Sequence, residues 1–334
     1  MAIGTAAGYG NLPSGNFLPE IYSQKVLKFF RRASVVEDIT NTDYAGEIEN
    51  FGDTVRIIKE PVLTVSAYTR GAVVNPQDLA DDQITMVVDQ ANAFAFKIDD
   101  IEERQSHINF EALATSSGAF ALKRKYDFNV LQAMSDGAGI AGSLSTGSTA
   151  PSALTTTDAT NLGTANAPIN VAGNSGDNAI NLMLAMARAL DDQSIPEENR
   201  WFVANPAFYE NLFGAGAKFA EVQVTGDATS PLRNGLVMQG NIAGFACYKT
   251  TALNSTGGTD QIVLTDATAT LATDGSENVV LAGHMSSTST ASHIAKTEVV
   301  RSTETFSDIV RGLHVFGRKV LRPEALAVGV VKTD

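Results

Sequence analysis

The side chains in this 334-residue sequence that could do chemistry are four histidines, one cysteine and two charged clusters. His107, His284, His293 and His314 fall in unrelated contexts, and no pair has the H-x-x-x-H spacing that puts two imidazoles on one helix face. His314, between Leu313 and Val315, reads as a hydrogen-bonded strand residue. Cys247, in "GFACYK", reads as a small buried hydrophobe. The acidic run Asp99, Asp100, Glu102 and Glu103 has the spacing of a helix cap, and His107 does not complete it as a ligand set. No phosphate-binding G-x-x-x-x-G-K-[ST] and no G-x-S-x-G elbow occurs, and the early "GYG" follows no strand. Nothing organises a nucleophile, a base and an orienting group, so the sequence predicts no enzyme, no cofactor and no metal. The second cluster, Arg311, Arg318, Lys319 and Arg322, lies within "FSDIVRGLHVFGRKVLRPEALAVGVV" (306–331). Its chemistry fits a nucleic-acid patch, an anion site or one side of a protein–protein contact.

The totals narrow those three. With 37 acidic against 24 basic residues the net charge is −13, which argues against tight binding to nucleic acid, where affinity comes mainly from neutralised phosphates. Hydrophobic residues make up 44% and charged residues 18%, enough for a real core. The single cysteine excludes an internal disulfide and fits a reducing compartment. The first residues, "MAIGTAAGYG", have no basic and apolar signal regions, and the stretch "AINLMLAMARAL" is far shorter than the roughly 20 residues of a membrane span. The sequon at Asn254 is expected to be accidental.

The elements that must position these residues follow from periodicity. Residues 1–15 read as an arm. In "LPEIYSQKVLKFFRRASVVEDIT", Tyr22, Val26, Phe29 and Phe30 share one side of a helix, and Ile21, Lys25, Lys28 and Arg32 lie on another. From about residue 45 the pattern is β: a strand over 54–58 and a return over 83–100, where Phe94, Phe96 and Ile98 alternate with Ala95 and Lys97. Arms of roughly 12–15 residues would project about 40–50 Å, and a hairpin so long is barely stable alone, so it predicts a second subunit to lie on. A helix of roughly 34 residues, about 50 Å long, is expected over 99–136, with Gly118 marking a bend or close packing. Residues 137–178 are low-complexity loop with short strands. Then come an amphipathic helix (177–193), a strand and Pro-initiated helix ("RWFVANPAFYENLFG"), two strands around a glycine turn (234–253) and a β-rich remainder.

In this order the segments resemble the tailed-phage major capsid proteins, whose fold is shared with herpesvirus capsid proteins and encapsulins. The resemblance runs over nearly the whole chain. It is carried by "FLPEIYSQKVL" (17–27), "GDTVRI" (52–57), "FAFKIDDIEERQS" (94–106), "NPAFYENL" (205–212), "NGLVMQGNIAGFACYKTTAL" (234–253) and "GLHVFGRKVLRPEAL" (312–326). It implies an α+β chain of the tailed-phage capsid (Johnson) fold. The parts would be an N-terminal arm (1–44), an extended β-hairpin loop (45–98), a peripheral domain with its spine helix (99–136 and 285–334), and an axial domain with surface loops (137–284). The implied function is a major capsid protein in the virion shell, assembled in the host bacterial cytoplasm. Its hexamers and pentamers would form an icosahedral capsid around double-stranded DNA. Implied partners are further copies of the chain, a portal protein, any decoration protein and the packaged DNA through weak contacts. A separate scaffolding protein is also expected, because only a short arm precedes "FLPEIYSQ". The alternative is an encapsulin-type compartment shell. The subunit-interface candidates are Arg31, Arg32, Arg70, Glu102, Glu103, Arg311, Arg318, Lys319 and Arg322. The C-terminal basic residues are expected to face carboxylates along the spine (Glu102, Glu103, Glu111) or on an adjacent subunit.

Some members of that family crosslink a loop lysine to a neighbour's asparagine. Residues 61–96 hold no lysine, and no asparagine occurs from His284 onward. Denaturing gels of mature particles should therefore show one band near 35 kDa, and a ladder above it would reverse this expectation.

Overall fold

The computed structural model describes residues 34–44, 54–59, 63, 65, 67–71, 82–100, 110–141, 162–163, 168–172, 176–212, 242–253, 276–303 and 305–333. In chain order these hold α1 (Val36–Ile39), β1 (Thr54–Lys59), β2 (Asp82–Val87), β3 (Gln90–Asp99) and α2 (Phe110–Gly137). Next come β4 (Ile140–Ala141), β5 (Ile169–Asn170), α3 (Gly176–Asp192), β6 (Arg200–Ala204) and α4 (Pro206–Leu212). The chain continues with β7 (Ala246–Lys249), β8 (Glu277–His284), β9 (Thr288–Arg301), β10 (Ser307–Val320) and β11 (Leu326–Lys332).

Every residue of β6 is buried, which alternation alone would not produce. The cause is a sheet covered on both faces, whose inner strands read as continuous apolar runs. That sheet has six strands in the order β4-β11-β8-β6-β7, with β5 also beside β11. Phe202, Val280, Ala282, Ala327 and Val331 point to a core shared with α3 and α4. Their neighbours Trp201, Val203, Val279, Leu281 and Val328 point the other way, to a core shared with α1 and α2. Local chemistry sets the connections. Arg200 is buried, pairs with Asp191 at 2.7 Å and donates to the carbonyl of Pro196 at 2.8 Å, stapling the α3–β6 turn. Asn205 caps α4 by accepting the Phe208 N–H at 2.9 Å, with Pro206 as its first residue.

A second, three-stranded sheet runs β3-β10-β9. Phe94, Phe96 and Ile98 lie on its half-buried face, as the alternation in β3 predicts. Phe316 and Val320 of β10 face α2, where Phe316 is fully buried edge-on to Tyr126 with centroids 4.8 Å apart. Val315 faces the opposite way, into a small core with Val55, Met86, Val88 and Ala291. The base of the β1–β2 hairpin therefore covers this sheet from behind.

Helix α2 joins the two sheets. Its 28 residues span about 42 Å. Val130, Leu131 and Met134 pack on the six-stranded sheet, while Gly118 meets Phe94 of the three-stranded one. The close packing expected at Gly118 is present: a Cβ there would lie 2.7 Å from the Phe94 ring. Gly312 of β10 crowds the same ring from the strand side.

One expectation needs correcting. The return stretch is two strands, because the pairing breaks at residues 88–89: β2 pairs with β1, whereas β3 pairs with β10. Among the described residues the β1–β2 ladder has six residue pairs, and its base is covered within the chain. The expected long helix is observed over Phe110–Gly137, and its expected start falls on residues 101–109, which lie outside the described residues. Gly118→Val should lower stability by about 1–3 kcal/mol through overpacking. Adding Phe94→Ala should cost less than its effect in the native background, giving a non-additive cycle in urea unfolding.

Candidate subunit interface

The C-terminal basic cluster is not one patch. Side chains alternate along β10, so Arg311 and Arg318, an odd number of residues apart, face opposite sides. Arg311 is exposed and bonds Glu298, its register partner on β9. Its carboxylate therefore lies within the chain. Arg318 is half-buried on the α2 side, and its Nη1 is enclosed with no hydrogen-bond partner among the described residues. Burial pulls its pKa below the usual guanidinium value, while Asp89 and Asp136 oppose the shift. Lys319 and Arg322 are exposed. The Arg322 backbone N–H donates to the Ser287 carbonyl at 3.1 Å, holding the turn before β11. Arg70 is exposed in the segment beyond β1. Arg31, Arg32, Glu102 and Glu103 lie outside the described residues, and of Glu111 only the helical backbone is described.

The most exposed apolar side chains stand elsewhere. Ile58 at 86% exposure, Leu63 at 65%, Val65 at 94% and Tyr68 at 68% follow one another along the outgoing arm of the hairpin. Phe306, 81% exposed, stands in the β9–β10 turn, and Val299 and Val300 near the end of β9 are exposed as well. Arg301 braces this turn by bonding both Asp100 and Asp308, and the Asp100 backbone N–H donates to the Phe306 carbonyl at 3.1 Å. Exposed apolar side chains at the end of β1, in the segment beyond it and on a braced turn suit contact with another protein surface. Among the described residues no three His, Cys, Asp or Glu side chains group as metal ligands, and no helix is long and apolar enough to cross a membrane.

No family model matches the chain, and no curated protein does. Solved structures do. One of Mycobacterium phage Che8 is 25% identical, covering 94% of this chain and 97% of that one with a TM-score of 0.71. The capsid structure of cyanophage P-SCSP1u is 16% identical, covering 95% of this chain and 94% of that one at 0.65. The mature capsid of bacteriophage PhiM1 is 15% identical, covering 94% and 91% at 0.64.

The chain has the phage capsid fold. In this fold His284, His314 and the cysteine take structural places, while His107 and the side chain of His293 lie outside the described residues. His314 Nε2 lies 2.7 Å from Ser292 Oγ, and burial pulls its pKa down. His284 Nδ1 accepts the Ser286 N–H at 3.1 Å. Cys247 packs on the core below α4, where burial pushes its thiol pKa up.

Sequence reasoning missed the residue that fixes where the N-terminal segment meets the capsid fold. Asp127 of α2 is buried, and accepts from the Ser34 hydroxyl and from the Val35 N–H at 3.2 Å. A charged residue inside an apolar helix face was the available signal. Burial raises the Asp127 pKa above its ordinary 3.8, against the two hydrogen bonds. The folded chain therefore holds this proton at a pH where the unfolded chain has released it. The linkage favours the folded state as pH falls from the raised value toward the ordinary one. Relative to Asp127→Asn, the native chain should gain Tm on acidification through that window. Asp127→Ala should cost about 1–3 kcal/mol at neutral pH by stranding two buried donors.

Proposed function

We propose that the protein is the major capsid protein of a tailed phage, located in the virion capsid. Copies would assemble as hexamers and pentamers into an icosahedral shell around double-stranded DNA. The observation that carries this reading is the β1–β2 hairpin. Its base is sealed within the chain by Val55, Met86 and Val88, while Ile58, Leu63, Val65 and Tyr68 beyond it meet solvent. A two-stranded ladder followed by that much exposed apolar surface is marginal in water and would become stable on a neighbouring subunit. The phage capsid fold over nearly the full chain supports the same reading.

The protein acts by assembly, without catalysis or a cofactor. In domain terms, the three-stranded sheet and the outer half of α2 serve as the peripheral part, and the six-stranded sheet with α3 and α4 as the axial part. β11, though near the C-terminus, is bonded into the six-stranded sheet through β8. Partners are further copies, a separate scaffolding protein, a portal protein, any decoration protein, and DNA through weak non-specific contact. A net charge of −13 keeps that last contact loose. Arg31, Arg32, Arg70, Glu102, Glu103, Arg318, Lys319 and Arg322 remain interface residues in this reading. Arg311 contributes through its pair with Glu298, which presents a neutralised edge. Nothing in the fold favours an encapsulin-type compartment.

Electron microscopy of particles purified from infected cells tests the proposal: polyhedral shells containing DNA are expected, and a monomer or a shell filled with protein cargo would sink it. Val65→Asp should leave the unfolding free energy of the unassembled chain within about 0.5 kcal/mol of the native value, since the side chain is exposed. The same change should reduce shell yield at least ten-fold in negative stain.

A further inference from the structure

Residues 34–44 run from α2 to the base of the β1–β2 hairpin and are fastened at several points on the way. At one end Asp127 accepts from the Ser34 hydroxyl and the Val35 N–H. Val36 and Ile39 of α1 are fully buried in the core between α2 and the six-stranded sheet. Asn41 then runs parallel to the start of β9. Its N–H donates to the Thr288 carbonyl and its carbonyl accepts the Thr290 N–H, both at 2.9 Å. The Thr40 and Thr290 hydroxyls lie 3.0 Å apart. At the far end Tyr44 packs on the core of Val55, Met86, Val88, Ala291 and Val315 that seals the hairpin base. We infer that this segment is a strap that couples the latch at Asp127 to the order of the hairpin base, so that the two close and open together.

Neither end of the strap is stable alone. α1 has four residues, too few for a free helix, so it is formed only while docked. The β1–β2 pair is a two-stranded ladder, marginal in water by itself, and it depends on its base core. Tyr44 forms part of the wall of that core, and so does Ala291, next to the Thr290 that the strap bonds. The Glu37–Lys123 pair is exposed and adds little, which leaves Asp127 as the polar anchor of α1. Removing that acceptor strands the buried Val35 N–H and loosens α1, and the loosening passes along a short length of chain to Asn41 and Tyr44. Two marginal elements joined in this way share one opening free energy. The inference deepens the capsid reading, because the hairpin it governs is the element assigned there to contact between copies. A subunit with its latch open would present no ordered hairpin to a neighbour.

The test is hydrogen exchange read by mass spectrometry in the full-length unassembled chain, with Cys247→Ala throughout so that no native thiol competes. Asp127→Ala should raise exchange at least about ten-fold in peptides covering β1 and β2, and leave those covering β8 and β11 within about two-fold. Ser34→Ala removes a single donor and should give the same selective rise where the larger change prevents folding. Leu182→Ala, fully buried in the core under α3, controls for general loss of stability. It should raise exchange in β8 and leave the hairpin unchanged. Thr40→Cys with Thr290→Cys, whose side chains stand within disulfide reach, pins the strap between its two ends once oxidised. With that bond closed, Asp127→Ala should no longer affect the hairpin, and reduction should restore the effect. Hairpin exchange that ignores both latch variants overturns the inference. So does a rise shared equally by β8 and β11, or one that persists with the disulfide closed. Exchange is measured without a shell, so this result and the microscopy that tests the capsid reading can fail independently.

Discussion

The Phe94 ring, held between Gly118 on the helix and Gly312 on the strand, sets how closely α2 lies on the three-stranded sheet. A Cβ on either glycine would meet the ring, so the helix could approach no nearer and the strand could not shift. The same helix is fixed at its other end by Val130, Leu131 and Met134 on the six-stranded sheet. One rigid rod thus sets the relation of two sheets that share no ladder. The sheet behind the ring in turn carries the hairpin base through Val315 and Ala291. Moving Phe94 moves the helix, and with it the surface from which the hairpin projects.

Much of this was legible where one face of an element is buried and its local chemistry is unambiguous. The alternation of Phe94, Phe96 and Ile98, the amphipathic run of α3, and Pro206 at the start of α4 each left a period or a terminus signal. The split of the return stretch was not legible. β2 and β3 are separated by only two residues and both have strand composition, so nothing local marks the change of partner from β1 to β10. Pairing partners are a tertiary choice, decided here by the cores on the two faces of the sheet.

The charged residues show the same boundary between local and distant information. Arg311, Arg318, Lys319 and Arg322 are neighbours in sequence, but a strand sends alternate side chains to opposite faces. The apolar residues around them hid that alternation, because β10 is covered on one face by α2 and on the other by the hairpin base. Glu298 and Asp308, which neutralise Arg311 and Arg301, become visible as partners only once β9 and β10 are read as one hairpin. Asp127 was harder still, since its donor lies 93 residues earlier.

Exposed apolar side chains beside and beyond β1, on a chain of net charge −13, balance two opposing needs. Repulsion between like-charged copies keeps free subunits apart, and salt weakens it over about 10 Å. Burial of the hairpin's apolar side chains acts only on contact, at about 25 cal/mol per Å². A single contact of this kind is small against the entropy of fixing two bodies. A closed array makes the contact once per subunit, and after the first few neighbours each added copy is held on several sides at once. Such a surface therefore favours either separate chains or a completed assembly, with little population between. The exposure of Val65 and Tyr68 on a single copy is the feature such a closed array would bury.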